Sequence, residues 1–269
     1  MNILVIGATG YIGGAVAAAA ARAGHDVAAL RHPGGHGLPD NRRQVEGDLR
    51  DPASLTAAAE GFDRVVHAGP PLGEEIDLAG VDALVAAGVP LVYTTGAAVL
   101  GPGWSDEDSD PDPHPLISWR GEAERRVLAA GGHVVRPGLA YGDGGGLVAG
   151  LLAREAAERG VGVYIGEPGV RLPVVHVEDL AALYVAVLGA SGPGRIWHGM
   201  SENVRLDEVA AVLGGGEAVS WPLEEARAEV GPAADLFTLD QVVDSAKTRD
   251  LLGWRPARTS LLDWLREHR

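Results

Sequence analysis

The chain has 269 residues, of which 46% are hydrophobic and 22% are charged, a composition typical of a folded globular protein. It contains no cysteine, which excludes a disulfide framework, a cysteine-ligated metal site and a thiol nucleophile. The 37 acidic and 22 basic residues give a formal net charge of -15, and this negative field disfavours nucleic acids and acidic membranes as partners.

The chain opens directly into an apolar segment without a basic leader. None of its apolar runs reaches the ~20 residues that span a bilayer. We therefore expect a cytoplasmic protein without a membrane partner.

Strands and helices alternate along most of the chain. The β-branched run at residues 3–6 predicts a buried strand, and a glycine turn and an alanine-rich helix follow it. Further strands are predicted at residues 25–30, 44–46, 64–68, 90–95, 132–136 and 174–177. A helix is predicted to begin at residue 52, and further helices are predicted at 78–87, 117–130, 147–158, 178–188, 206–213 and 245–252. This alternation predicts an α/β fold, a Rossmann-type doubly wound parallel sheet with a smaller C-terminal substrate lobe.

Residues 105–115 interrupt the pattern. This segment contains five carboxylates and three prolines, which predicts an exposed loop. We assign it no functional role.

Gly7, Gly10 and Gly13 lie between the first strand and the first helix. Closely spaced glycines at this point let backbone amides approach a pyrophosphate, while the helix N-terminus contributes partial positive charge. The pattern predicts a dinucleotide-binding turn, and a tight turn without a ligand is the alternative. We expect the NAD(P)-binding domain to span residues 1–147, with 174–190 returning to it, and an interleaved substrate-binding lobe to span 148–269.

The end of the second strand favours NADP over NAD. An acidic residue there would accept hydrogen bonds from the ribose of NAD, but the sequence has Arg31 and His32. Arginine can pair with a 2′-phosphate and stack on adenine, although Arg31 could also be simply solvated. Asp48 follows the third strand, where it could accept a hydrogen bond from the adenine amino group or serve as an ordinary turn residue.

Seven motifs spread over nearly the whole chain carry a family resemblance. They are Gly7-Ala8-Thr9-Gly10-Tyr11-Ile12-Gly13, Gly47-Asp48-Leu49-Arg50-Asp51, Val65-Val66-His67-Ala68-Gly69, Leu91-Val92-Tyr93-Thr94-Thr95-Gly96, Arg136-Pro137-Gly138-Leu139-Ala140-Tyr141-Gly142, Val175-His176-Val177-Glu178-Asp179-Leu180 and residues 246–256. Through them the chain resembles the short-chain dehydrogenase/reductase superfamily, in its extended or atypical branch of NAD(P)-dependent epimerases and dehydratases.

The resemblance implies a cofactor that lies across the carboxyl ends of the first, fourth, fifth and sixth strands. The motifs and the resemblance together give the expected cofactor-binding set: Gly7, Thr9, Gly10, Tyr11, Ile12, Gly13, Arg31, His32, Asp48, Leu49, Ala68, Gly69, Pro70, Thr94, Pro137 and Gly138.

The chain departs from this superfamily at the catalytic pair. The usual proton donor is a tyrosine followed four residues later by a lysine, whose ammonium lowers the pKa of the phenol and holds the ribose. The single lysine here is Lys247, and Val243 stands four residues before it. Alignment of the helix near residue 120 puts Leu116 at the tyrosine position and Arg120 at the lysine position.

Thr95, Arg120 and Tyr141 are the catalytic candidates. Thr95 would polarise a carbonyl, or it only caps backbone groups. Arg120 would hold an anionic substrate or the cofactor, or it forms a surface ion pair with Glu122 or Glu124. Tyr141 follows the sixth strand, where it would act as a phenolic acid or only pack.

Other polar and aromatic residues have a more ordinary interpretation. Trp119 is expected to be a core residue rather than the floor of a substrate pocket. His67 and His176 lie in strand-like runs and are expected to be core histidines. The sequence carries no His-Glu-x-x-His motif, so no metal ligands are assigned.

These features predict an atypical NADP-dependent oxidoreductase that acts on a small, partly apolar carbonyl substrate. One alternative is an epimerase or dehydratase that retains its cofactor and shows no net redox change. Another is a non-catalytic protein that binds the nucleotide and reports its redox state to a partner.

Overall fold

The computed structural model describes residues 1–34 and 43–268. In these ranges the strands are β1 (Asn2–Ile6), β2 (Asp26–Arg31), β3 (Arg43–Glu46), β4 (Arg64–His67), β5 (Leu91–Thr94), β6 (Gly103–Ser105), β7 (His133–Pro137), β8 (Leu139–Tyr141), β9 (Gly162–Ile165), β10 (Arg171–His176), β11 (Ile196–Gly199), β12 (Glu202–Arg205), β13 (Ala218–Trp221) and β14 (Gln241–Val243). The α-helices are α1 (Tyr11–Arg22), α2 (Pro52–Ala59), α3 (Glu74–Ala86), α4 (Trp119–Ala129), α5 (Leu147–Arg159), α6 (Val177–Leu188), α7 (Leu206–Leu213), α8 (Leu223–Val230), α9 (Ala246–Leu252) and α10 (Leu261–Glu267). Short 3₁₀ helices cover Ala97–Leu100, Pro115–Ile117 and Pro232–Thr238.

The chain divides into two compact units. The first comprises Met1–Thr95, Trp119–Arg136 and Ala181–Trp197, and the second comprises Gly96–Ser118, Pro137–Leu180 and His198–Arg269. The segment that returns to the first unit is therefore 181–197 rather than 174–190, and residues 137–147 lie in the second unit, which is about as long as the first. That one part of the chain binds the cofactor and the other binds the substrate stays a prediction.

The first unit is built on the central sheet. Its strand order is β11-β7-β5-β4-β1-β2-β3, and every pairing from β7 to β3 is parallel. From β1 the chain first adds β2 and β3 on one side and then crosses over to add β4 on the other side. Open α/β sheets bind ligands at such a crossover point, at the carboxyl ends of the strands. The predicted Rossmann-type fold is confirmed.

Both faces of this sheet are covered. Leu4 and Ile6 of β1 belong to one core cluster with Leu55, Leu84 and Val127 from the helices α2, α3 and α4. Ile3 and Val5 alternate with them and are just as buried, so they point to the opposite face. Burial on both faces explains why the predicted strands are continuous apolar runs.

The second unit has three small sheets with the strand orders β12-β10-β8, β13-β9 and β14-β6. Side chains of the first two sheets share a core with α5, α7, α8 and α10, in which Trp221 and Leu152 are fully buried. Val243 of β14 belongs to a separate small cluster. The sequence predicted α5, α7 and α9 within a few residues. Of the strands in this unit it located only β10, predicted at residues 174–177, because the other strands have three or four residues and carry too little periodicity.

The acidic segment at residues 105–115 is only partly the exposed loop that was predicted. Ser105 and Glu107 are buried, and the Glu107 carboxylate accepts a hydrogen bond of 2.7 Å from the backbone N–H of Thr248. This bond satisfies an N–H in the first turn of α9, where a helix has no partner of its own. Glu107 is therefore a structural residue, which a count of charges cannot reveal.

None of the helices in the described ranges combines the length and the apolar character that crossing a membrane requires.

Candidate functional site

The glycine turn after β1 packs directly against the end of β4. Gly7 has a φ of +85°, and a Cβ atom on it would lie 2.4 Å from the carbonyl oxygen of Ala68. A Cβ atom on Gly13 would lie 2.2 Å from the carbonyl oxygen of Gly7. Neither position tolerates a side chain, so the turn holds the start of α1 close to the carboxyl ends of β1 and β4.

The helix α1 begins directly from this turn. Gly10 is its N-cap and carries no side chain, while Thr9 and Gly10 are exposed, and Tyr11 and Ile12 are half-buried. The first N–H groups of a helix have no intrahelical partner, and the helix dipole adds positive potential there. The turn thus has the geometry of an anion site, and the structure brings together the predicted residues 7–13.

The predicted coenzyme-discriminating residues each lie against a carboxylate. Arg31, at the end of β2, pairs with Glu46 of β3, which is opposite it in the parallel register. His32 Nε2 lies 3.0 Å from the Asp48 carboxylate. The backbone N–H of Arg50 donates to Asp48 and, together with His32, holds the pKa of that carboxyl below its usual value. Arg31 is therefore not simply solvated.

The end of β4 provides the opposite wall of the turn. Ala68 and Gly69 are half-buried and Pro70 is exposed. A Cβ atom on Gly69 would lie 3.2 Å from both the Leu49 side chain and the His67 ring, so Leu49 lies beside this segment.

His67 is buried behind that segment and is uncharged. Its Nδ1 accepts a hydrogen bond of 3.2 Å from the Gly69 N–H. Burial lowers the pKa of His67 to about 4, and the positive charge of Arg120 acts in the same direction against the opposing charge of Asp77. At neutral pH the ring is a structural acceptor, in line with its interpretation as a core histidine.

Thr95 lies at the end of β5 next to a buried ion pair. Its hydroxyl donates a hydrogen bond of 2.5 Å to Glu124 of α4, and Arg136 of β7 binds the same carboxylate at 2.6 Å. Arg136 has no exposed surface and Glu124 has 1%. The proton of the Thr95 hydroxyl is committed to this carboxylate, which limits the hydroxyl to accepting a further hydrogen bond.

Thr94 points to the other face of the sheet, because successive side chains of a strand alternate. Its Oγ1 lies 2.6 Å from the phenolic oxygen of Tyr184 on α6. Its backbone carbonyl accepts a hydrogen bond of 3.1 Å from the guanidinium of Arg120. The half-buried Thr94 and Arg120 therefore meet at the carboxyl end of β5.

Arg120 forms no ion pair within the described part of the chain, so the predicted alternative of a surface ion pair is wrong. Glu122 binds Arg125 and Arg126 instead, at 2.6 and 2.7 Å, and Glu124 binds Arg136. The half-buried Trp119 donates its indole N–H to Asp77 at 2.9 Å.

Pro137, Gly138 and Tyr141 belong to the second unit. The Gly138 N–H donates to the Gly199 carbonyl at 3.0 Å. The buried Tyr141 hydroxyl donates to the Thr259 carbonyl at 2.7 Å. The proton that Tyr141 would need as a phenolic acid is thus held by a backbone acceptor, which favours the packing interpretation.

A cluster of possible metal ligands lies near Tyr141. The ligand atoms of Asp143, His176 and Glu178 lie within 4.8 Å of one another. However, Glu178 already pairs with Arg258 at 2.6 Å, and His176 Nδ1 accepts from the Glu178 N–H. We assign it no metal.

Three residues of this region were missed by the sequence analysis: Tyr184, Glu46 and Arg136 in its ion-pairing role. Arg136 left a signal, because a charge within a strand predicted to be buried requires a partner. Tyr184 lies in the apolar part of α6 and gave no such signal.

The comparisons with known proteins agree with the predicted resemblance. Residues 3–89 match the model of the NAD dependent epimerase/dehydratase family. An uncharacterized protein of Saccharomyces cerevisiae is 25% identical over 99% of this chain and 98% of its own length. A 2-alkyl-3-oxoalkanoate reductase of Stenotrophomonas maltophilia is 28% identical over 72% of this chain and 67% of its own length.

A solved structure of UDP-glucose 4-epimerase from Thermus thermophilus, in complex with NAD, superposes with a TM-score of 0.79 at 22% identity. The superposition covers 99% of this chain and 97% of that chain, and it confirms the fold. The family match and the named relatives support an enzyme of the oxidoreductase or epimerase type.

The steric limit at the turn can be tested with two glycines in helices. Gly13→Ala should lower the free energy of unfolding by about 1 to 3 kcal/mol, since the new methyl group meets backbone. Gly150→Ala is the matched control, because a Cβ atom there meets nothing within 4 Å; it should raise stability by about 1 kcal/mol. Urea unfolding measures both, and equal effects of the two substitutions would refute the close packing of the turn.

The buried ion pair gives a second prediction. Glu124→Gln should destabilise the protein by about 3 to 5 kcal/mol, because it leaves the Arg136 charge buried without its counter-ion. Thr95→Val removes only one hydrogen bond to that carboxylate and should cost about 1 to 3 kcal/mol. Thermal unfolding measures the order of the two effects, and the reverse order would contradict this description of Thr95.

Proposed function

We propose that the chain binds a nicotinamide dinucleotide at the Gly7–Gly13 turn and uses it in an oxidoreductase reaction on a small, partly apolar carbonyl substrate. The observation that carries the proposal is the close approach of Gly7 to Ala68. It aligns an uncapped helix start with the carboxyl ends of two neighbouring parallel strands, as a diphosphate requires. The family match over residues 3–89 supports the same ligand.

The residues around the turn fit this cofactor. Thr9 and residues 10–13 would hold the diphosphate, and the segment Ala68-Gly69-Pro70 would line the dinucleotide beyond it. When bound, the nicotinamide supplies or accepts the hydride. The described residues then have to bind and polarise the substrate oxygen.

The end of β5 supplies donors for that oxygen. Thr95 was the first candidate, but its proton is held by Glu124, and Tyr141 donates to Thr259. We propose instead that Thr94 donates the hydrogen bond and that Arg120 contributes the positive charge. A guanidinium stays protonated, so Arg120 would stabilise a developing alkoxide or an anionic group and would not act as an acid.

The ion pair of Arg31 bears on the choice of coenzyme. The sequence predicted NADP, with Arg31 facing the 2′-phosphate. A phosphate would have to compete with the Glu46 carboxylate for the guanidinium, and the two anions would repel each other. A ribose hydroxyl, in contrast, could donate to Glu46. We therefore propose that NAD binds at least as well as NADP while this ion pair is intact.

An epimerase that retains its cofactor is the second candidate. It is supported by the family match and by the UDP-glucose 4-epimerase among the structural neighbours. A non-catalytic nucleotide-binding protein is the third interpretation. A cytoplasmic location stays a prediction.

Titration of the protein with NADH and NADPH, followed by the fluorescence of the nicotinamide, tests the binding proposal. We expect saturable binding in the micromolar range, and no binding of either coenzyme at millimolar concentration would refute it.

Absorbance at 340 nm during incubation with a panel of carbonyl compounds then separates the three candidate functions. Net oxidation of NADH indicates a reductase. Interconversion of UDP-glucose and UDP-galactose without net oxidation indicates an epimerase, and binding without turnover indicates the third interpretation.

Substitution of Glu46 tests the role of the ion pair in coenzyme choice. Glu46→Gln should shift the ratio of NADPH to NADH affinity toward NADPH by about tenfold, because it removes the competing charge. Glu229→Gln is the matched control, since Glu229 forms an ion pair of comparable exposure with Arg159, and it should leave the ratio unchanged. An unchanged ratio in Glu46→Gln would show that Arg31 does not contact the ribose region.

A further inference from the structure

Tyr184 is a buried phenol that reaches the end of β5 from α6. It has no exposed surface, and its hydroxyl lies 2.6 Å from Thr94 Oγ1. The surrounding residues of α6 are almost all aliphatic. A polar group in such a setting has to be satisfied by the few partners within reach, and Thr94 is the partner here.

The direction of this hydrogen bond follows from the surroundings. Burial raises the pKa of Tyr184 above its ordinary value, although Thr94 and the charge of Arg120 act against this shift. The phenol therefore keeps its proton at any ordinary pH. A phenol is also a stronger donor than an aliphatic alcohol, so Tyr184 donates and Thr94 Oγ1 accepts.

This arrangement leaves the proton of Thr94 available. A hydroxyl has one proton to donate and two lone pairs that accept. With one lone pair occupied by Tyr184, the hydroxyl of the half-buried Thr94 can turn its proton away from the phenol. The neighbouring Thr95 is in the opposite situation, because its proton is held by Glu124.

We propose that Tyr184 is a positioning residue, which orients the Thr94 hydroxyl as the hydrogen-bond donor to the substrate oxygen in a chain that has no tyrosine–lysine pair. This inference rests on the proposed function. Thr94 keeps its proton and only donates a hydrogen bond, while Arg120, bound to the Thr94 carbonyl at 3.1 Å, provides the charge. The final proton for the product oxygen comes from water.

This arrangement has a consequence for the dependence of the rate on pH. A threonine hydroxyl and a guanidinium do not titrate in the physiological range. His67, with a pKa of about 4, is already neutral above pH 5 or so. Tyr93 is also near Arg120, and burial raises its pKa to about 12. Asp77 and Glu124 are the carboxylates whose charges act on these two groups. The turnover rate should therefore be flat from about pH 6 to pH 9.

Four variants of the full chain test the inference: Tyr184→Phe, Thr94→Ser, Thr94→Val and Tyr164→Phe. The last is a matched control, because Tyr164 is a half-buried tyrosine of the second unit. The probes are NADH with 4-nitrobenzaldehyde, and NAD with UDP-glucose, so that both proposed reaction types are covered.

We expect Tyr184→Phe to lower kcat about tenfold, while KM and the NADH dissociation constant stay within about twofold. Thr94→Val should lower kcat about 100-fold, the effect of losing one donor to a developing oxyanion. Thr94→Ser should retain most of the activity, and Tyr164→Phe should behave as the wild type. The wild-type kcat should show no ionisation between about pH 6 and pH 9.

The two proposals fail in different ways. If the wild type does not bind NADH, the proposed function fails. If it binds and turns over, but Thr94→Val or Tyr184→Phe retains the wild-type kcat, only this inference is overturned. A change of kcat with pH between about 7 and 9 would also overturn this inference, because such a change would indicate a titrating acid.

Proton NMR gives a readout that is independent of turnover. The buried Tyr184 hydroxyl should produce a slowly exchanging downfield signal that disappears in Tyr184→Phe, shifts in Thr94→Val and is kept in Thr94→Ser. The absence of this signal from the wild type would overturn the hydrogen bond on which the inference depends.

Discussion

The contact between two backbone segments, the turn after β1 and the end of β4, is the constraint on which the proposed ligand site depends. Gly7 approaches the Ala68 carbonyl so closely that a Cβ atom would lie 2.4 Å from it. This contact is possible only without a side chain, and it sets α1 with its N-terminus at the carboxyl ends of the parallel strands. The positive end of the helix dipole and the uncapped N–H groups are thereby fixed in place before any ligand arrives.

At the carboxyl end of β5, the hydrogen-bond partner of each threonine determines whether its hydroxyl proton is available. Two adjacent threonines point to opposite faces of the sheet and meet different partners. Thr95 meets a buried carboxylate that Arg136 neutralises, whereas Thr94 meets the phenol of Tyr184. One hydroxyl is thus bonded to a buried ion pair, and the other is bonded to a buried phenol. Arg120 adds a positive charge that no carboxylate among the described residues neutralises by an ion pair.

Much of the first unit could be predicted from the sequence. Continuous apolar runs, glycines after the first strand and proline-capped or glycine-ended helices are local signals, and they gave the order and the type of nearly all its elements. The second unit was predicted less well, since its strands have three to six residues and are defined by partners far away in the chain. The compact units also have other bounds than the predicted domains, because the chain crosses between them several times.

The candidate site shows the same limit at the level of single residues. The glycine turn was predictable because the residues that form it are close together in the sequence. The partners of Thr95, Arg31 and Thr94 were not, because each lies on another element. The sequence around a threonine at the end of a strand does not indicate whether its hydroxyl contacts a carboxylate or a phenol. Only the fold decides which proton is available.

Hydrogen–deuterium exchange of the backbone amides of Ile12 and Gly13, measured with and without saturating NADH, tests the central claim most directly. These amides precede the hydrogen bond from the Gly14 N–H to the Gly10 carbonyl and lack intrahelical acceptors, so they should exchange rapidly in the free protein. The account predicts that NADH slows their exchange by at least tenfold. Exchange at these amides that does not change while NADH is bound would contradict it, because the diphosphate would then lie elsewhere.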